Sequence, residues 1–243
     1  MFKIIIIIIS ALLICTMLFR MFFRFRFKDF YTSLVYGKYS LQYVDLFKKN
    51  DLRSPFIPCI KDEFIFHILM FLKKTPKAKT FTTTDNIQFG NIPFTTTYKE
   101  VFRSMGIPFC FNSMMVKNHE IKIIGYQEML NQTKLKSVYF FINDVFVVGE
   151  YLFSDVAKIE SLNISKILVK KYISESIDKI EEFYIEDSSK NMIYYRDNGF
   201  DLSVKYCNYG DSQVRKILFE LGKHMLQKNE NFDNLEDKIA EMF

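Results

Sequence analysis

Acidic residues are the side chains best spaced for chemistry in this chain. Glu181-Glu182 and Glu186-Asp187 bracket the apolar stretch Phe183 to Ile185, and Asp197 and Asp201 follow soon after. Side chains alternate along an extended strand, so Glu182 and Glu186 would share a face. With Asp201 supplied by a neighbouring strand, these three are the candidate catalytic residues, for a hydrolase working by general acid–base catalysis. That chemistry needs at least two of the carboxylates to converge in one pocket. The competing reading is a solvated sheet face whose charges guard an edge against pairing, and it makes the expected number of catalytic residues none.

Other chemical signatures are missing. There is no G-x-S-x-G elbow, phosphate-binding loop or G-x-G-x-x-G run. His67, His119 and His224 are far apart, and none has the spacing of a zinc ligand. His67 reads as a core residue, and the other two as solvated. No metal and no cofactor are expected. Cys15, Cys59, Cys110 and Cys207 make no C-x-x-C pair. Cys15 lies in an apolar run, which leaves an odd three elsewhere, so reduced and buried thiols are expected instead of a disulfide. Asn131-Gln132-Thr133 and Asn163-Ile164-Ser165 match glycosylation sequons, which matter only for an exported eukaryotic chain.

The N-terminus is the most informative segment. Ile4 to Phe19 holds only Ser10 and Thr16 as polar residues, and Arg20, Arg24, Arg26 and Lys28 follow among phenylalanines. A helix over 4–23 would span about 30 Å, one hydrocarbon thickness. The basic and aromatic flank suits the headgroup zone, so Arg20, Arg24, Arg26 and Lys28 are the candidate membrane-interface residues. No A-x-A-like site follows the apolar run, which favours an uncleaved anchor over a signal peptide. The anchor also explains the charge. The chain carries +5 overall, and with no acid among residues 1–28 the remainder balances at 28 basic against 28 acidic residues.

Four basic residues after the run, against Lys3 and the amino terminus before it, place the rest of the chain in the cytoplasm; export is the alternative. Nucleic-acid binding is disfavoured, because the basic excess lies beside the apolar run and suits anionic lipid. The partners expected are the lipid membrane and, through exposed aromatics or the tail, a protein.

The elements follow from pattern. Residues 29–86 read as a mostly helical connector, with a helix near 61–74 and a basic, Thr-rich linker over 73–86. Residues 87–228 read as an α+β domain. Thr97 and Glu100 form a capping box, and strands are expected at 109–117, 121–130, 135–142 and 145–153. A helix follows over 155–173, then a meander at 180–186, 192–196 and 200–207, with an Asn198-Gly199 turn. Asp211 should cap a last helix that turns Val214, Ile217, Leu218, Leu221 and Met225 inward. Residues 229–243 form a short amphipathic tail. The fold class expected is therefore an N-terminal transmembrane helix followed by antiparallel sheet with helices on one face. The function expected is a single-pass, membrane-anchored, non-catalytic binding protein. The alternatives are a membrane-associated enzyme with a dispersed carboxylate site, or an exported protein with an atypical signal.

Overall fold

Turn chemistry sets the strand pairing. Asn143 and Asp144 both adopt positive φ, 50° and 66°, as a tight two-residue hairpin requires. They join β4 (Thr133–Ile142) to β5 (Val145–Ser154). The preceding turn falls at Lys117-Asn118, one residue before the expected Asn118-His119, and joins β2 (Cys110–Val116) to β3 (His119–Leu130). In the meander β6 (Glu182–Asp187), β7 (Met192–Asp197) and β8 (Asp201–Cys207), Gly199 takes φ +85° and donates its amide to Asp197 Oδ1 at 2.9 Å. The computed structural model describes residues 2–60, 78–130, 133–154, 158–173, 181–199 and 201–221, with the side chains of 2–7, 18, 21, 22 and 158–162 outside that description. The expected helix over 61–74 with His67, and His224, Met225 and the tail 229–243, all lie outside the described residues.

The chain divides into two compact units, residues 1–55 and 56–243. The first consists of α1 (Phe2–Tyr36) and α2 (Leu41–Lys49). Gly37 at φ +82° ends α1, and Ser40 caps α2 by accepting from the Tyr43 amide at 3.2 Å. The Phe25 and Phe47 rings meet edge to face at 5.5 Å. Among the described residues no helix is long and apolar enough to cross a membrane. Part of the Ile4–Phe19 run, however, lies at the side chains outside the description.

The second unit is built on one eight-stranded sheet in the order β1-β6-β7-β8-β5-β4-β3-β2. The two strand groups seen in the sequence join through antiparallel pairing of β5 with β8. Within the stretch expected as a linker, 73–86, residues Lys79–Thr83 instead form a strand, β1, that pairs in parallel with β6. Only Phe81 of its five residues is buried, so no alternating apolar pattern announced it.

Partners across the ladders share a face. Tyr184, Tyr194, Lys205, Glu150, Val138, Gly125 and Cys110 form one such row. One step along, Ile185, Ile193, Tyr206, Gly149, Tyr139, Ile124 and Phe111 lie on the opposite face. The helices are not confined to one face. A helix at residues 212–221 (α5), capped by Asp211 through the Val214 and Gln213 amides, buries Val214, Leu218 and Leu221 against Tyr184, Tyr194 and Cys207 on the first face. On the second face α3 (Tyr98–Met105), with its Thr97–Glu100 capping box, brings Tyr98 to Phe141 at 5.6 Å. α4 (Lys158–Tyr172) bonds Tyr195 through Ser165. Two-sided covering explains why β4 ends in an unbroken run of buried residues where a half-wet strand would alternate.

The second face holds an aromatic core. Phe89 is fully buried, and its ring meets Tyr139, Phe146, Tyr151 and Tyr206 at 4.3 to 5.9 Å. It lies flat on Gly149, where any Cβ would run into the ring. A larger residue at 149 would expel Phe89.

Cysteine pairing differs from expectation. Cys59 and Cys110 form a disulfide, with Cα atoms 4.9 Å apart and a sequence separation of 51. Asn112 docks the Cys59 segment by mimicking a strand. Its Oδ1 accepts from the Cys59 and Ile60 amides, and its Nδ2 donates to the Ile60 carbonyl. Gly125 leaves room for the sulfurs; a Cβ there would sit 2.5 Å from Cys110 Sγ. Cys207 is buried and free, as expected of a core thiol, and Cys15 is free and exposed.

Candidate functional site

The three candidate carboxylates do not share a pocket. Glu182 accepts the Tyr194 hydroxyl at 2.7 Å. Glu186 lies four residues further along the same strand, about 13 Å away at strand rise, and pairs with Lys190 at 2.9 Å. Asp201 is exposed at the far end of β8, opposite Ser154. The neighbouring acids serve turns. Asp187, only 4% exposed, accepts from the Ile87 amide and from the amide and side chain of Asn191, and so ties the Ile87 segment to the β6–β7 turn. His119 contacts Asn143 at 3.0 Å and lies 3.8 Å from Glu220. Among the described residues no three His, Cys, Asp or Glu side chains are grouped to hold a metal ion.

The structure assembles instead a charged strip on the first face that sequence order hid. Glu150, 5% exposed, lies 2.7 Å from Lys205 Nζ and accepts the Ser203 hydroxyl at 2.6 Å. Lys205 Nζ also donates to Ser203 Oγ at 3.0 Å. One strand over, Lys136 donates to the Cys59 carbonyl at 2.8 Å. Burial lowers the Lys136 pKa, and the Glu150 charge partly opposes that shift. The Tyr194 hydroxyl is held protonated by burial first, and then by its bond to Glu182.

A serine beside a lysine invites a nucleophile reading, which the bond directions argue against. An ammonium that donates to Ser203 has no lone pair to take its proton. The Ser203 proton points at Glu150, which is itself held by Lys205. The trio is a closed ionic lock joining β5 to β8, the junction of the two strand groups. Removing one charge of a buried pair strands the other. Glu150→Gln, which keeps a partner for Ser203, should cost about 2–3 kcal/mol in a urea titration. Adding Lys205→Met should restore most of that loss, and a double variant as unstable as the sum of the singles would contradict the lock.

A second feature is a cleft of about 620 Å³ at the opposite sheet edge, lined by residues 79–85 of β1 and its following turn and by 170–173 at the end of α4. Phe81, Tyr172 and Ile173, at 5–8% exposure, form its floor, while threonines and the exposed Lys79, Lys170 and Lys171 make most of its open surface polar. No adjacency in sequence joins these two segments; the β1–β6 pairing does.

In the first unit, Arg20, Arg24, Arg26 and Lys28 are all exposed on α1. Arg20, Arg24 and Lys28 recur every four residues and lie on one side of the helix.

No protein-family model, curated protein or solved structure matches the chain.

Proposed function

We propose that this protein is a single-pass, membrane-anchored binding module that works without catalysis. The supporting observation is the surface of α1. Leu12, Leu13 and Ile14 are 60, 61 and 59% exposed, and Ile8, Ile9, Met17, Phe19 and Phe23 are exposed as well. At about 100° per residue these eight positions spread around most of the helix circumference and leave no continuous polar face. A helix apolar all round is solvated by lipid or by protein, not by water. At 35 residues α1 is about 50 Å long. That leaves its Arg- and Phe-rich second half to cross the headgroups once the Ile-rich half fills the hydrocarbon.

The disulfide bears on orientation. Thiols buried at Cys59 and Cys110 remain paired in an oxidising compartment and are reduced in the cytosol. This consideration opposes the flanking-charge rule, whose margin here is two charges. We therefore favour a body on the non-cytoplasmic side, reversing the expectation from the flanks. Binding, not catalysis, is favoured because the candidate carboxylates are spread apart and the Ser203 trio is closed.

Carbonate extraction of membranes tests the anchor. The full chain should stay in the pellet with its N-terminus intact, and a chain lacking residues 1–28 should leave it. A full chain released by carbonate would overturn the anchor, and a mature protein lacking the apolar run would show a cleaved signal. Protease treatment of intact cells carrying a C-terminal tag tests the side; digestion is expected, and protection would return the body to the cytoplasm.

A further inference from the structure

The geometry points to the open edge of β1 as the docking site for an acidic, extended peptide segment, which adds to the sheet as a further strand. This inference rests on the binding-module reading and names its site and partner class; it does not depend on the anchor. β1 pairs with β6 on one side, and among the described residues no strand pairs its other side. An edge strand presents outward amides and carbonyls that a peptide backbone can match. The cleft beside that edge supplies the side-chain contacts. Lys79, Phe81 and Thr83 point toward the face that carries α4, and the end of α4 forms the opposite wall. Alternate residues of an added strand would therefore rest on the buried Phe81, Tyr172 and Ile173 floor, as the two-residue period of a strand requires.

Charge selects the partner. Three lysines line the cleft against one acid, Asp85. Lys79 Nζ sits 4.8 Å from the Phe81 ring centre and Lys171 Nζ 4.9 Å from that of Tyr172, so both ammonium groups are held at the cleft by its own floor. Lys170 and Lys171 also answer the negative end of α4, whereas Lys79, on a strand, has no helix end to answer. A second copy of this chain is a poor occupant, because it would bring lysines against lysines. A segment alternating Glu or Asp with apolar residues matches both the floor and the walls.

The test uses the full-length chain in neutral detergent micelles and a fluorescent peptide of alternating Val and Glu, followed by anisotropy. The peptide should bind, and its Val-Lys counterpart should bind at least about tenfold more weakly. Two Val-Glu peptides N-methylated at alternate amides, one in each phase, separate strand pairing from simple charge attraction; one phase should lose binding and the other keep it. Lys79→Glu with Lys171→Gln should weaken the peptide about tenfold with only a small fall in the unfolding midpoint, because both side chains are exposed and the charge at the end of α4 is removed without being reversed. Equal binding of the Val-Glu and Val-Lys peptides, or of both methylated phases, would overturn the proposal. So would lysine substitutions that abolish binding to anionic lipid vesicles and leave the peptide untouched, since the cleft would then be a headgroup site. Carbonate extraction reads the anchor independently, so failure of the peptide assay with the chain still in the pellet counts against the edge site alone.

Discussion

Between pH 10 and pH 11 the sheet unit should lose about 4 kcal/mol of stability through four tyrosines alone. Tyr139, Tyr194, Tyr195 and Tyr206 are between 1 and 6% exposed. Burial is the first cause raising each of their pKa values. Neighbouring tyrosines add to it at 139 and 206, the Glu182 bond at 194 and the Asp197 charge at 195. Tyr195 is pushed up to about 12, and the other three go further in the same direction. In the unfolded chain the same hydroxyls ionise near the ordinary value of 10.0.

Their contribution is therefore complete below pH 10 and is lost as pH rises toward the folded values, at about 1.4 kcal/mol per tyrosine per pH unit. Lys136 works the other way, since its lowered value means that the unfolded chain binds the extra proton just below the ordinary lysine range. It is one group against four. The total approaches the whole stability of an ordinary domain. Tyrosinate absorbance and near-ultraviolet circular dichroism, recorded together, should show a single steep step above pH 10 in which ionisation and loss of packing coincide. Tyrosines that titrate smoothly near pH 10 with the dichroism unchanged would mean that the aromatic core is wet.

Reducing the Cys59–Cys110 bond should cost about 4 kcal/mol, from the chain entropy of a closed loop of this length. The two cysteines are 51 residues apart, and the loop includes β1, α3 and the Phe89 segment. β1 is also held by its ladder to β6, α3 by the Tyr98 amide bonding the Asp144 carbonyl, and Phe89 by its aromatic neighbours. Asn112 gives the Cys59 segment its own anchorage as well, so reduction should leave the sheet folded until denaturant is added, the loss appearing as lower stability. Two measurements check this. Alkylation in denaturant should count two thiols before reduction, Cys15 and Cys207, and four after it. Urea midpoints with and without reductant should differ by the stated amount. Four thiols without reductant would remove the disulfide, and with it the argument for an oxidising compartment.

Most of the strands were legible because their signals are local. The strand over 121–130 begins two residues earlier than expected, and that over 135–142 also two earlier. Asn143-Asp144, Asn198-Gly199, the Thr97–Glu100 box and the Asp211 cap all act within four residues of themselves, and all function as the sequence suggests. β1 was not legible. It has one buried residue, and its partner β6 is about a hundred residues away, so neither pattern nor neighbours marked it. Sequence order also misdirected the search for a site. It drew attention to acids adjacent in the chain, whereas Glu150 meets Lys205 across 55 positions through the β5–β8 register.

By itself the sequence determined where elements begin and end, because caps, turns and apolar periodicity are properties of a few neighbouring residues. It also determined that the first 28 residues are an apolar run followed by a basic, phenylalanine-rich flank, the composition on which the proposed anchor rests. Only the tertiary structure decided that two strand groups share one sheet, that helices cover both of its faces, that Cys59 meets Cys110, and that β1 and the end of α4 enclose a basic cleft. Each of these depends on register between distant segments, where burial and pairing are settled jointly and no local stretch carries the information alone.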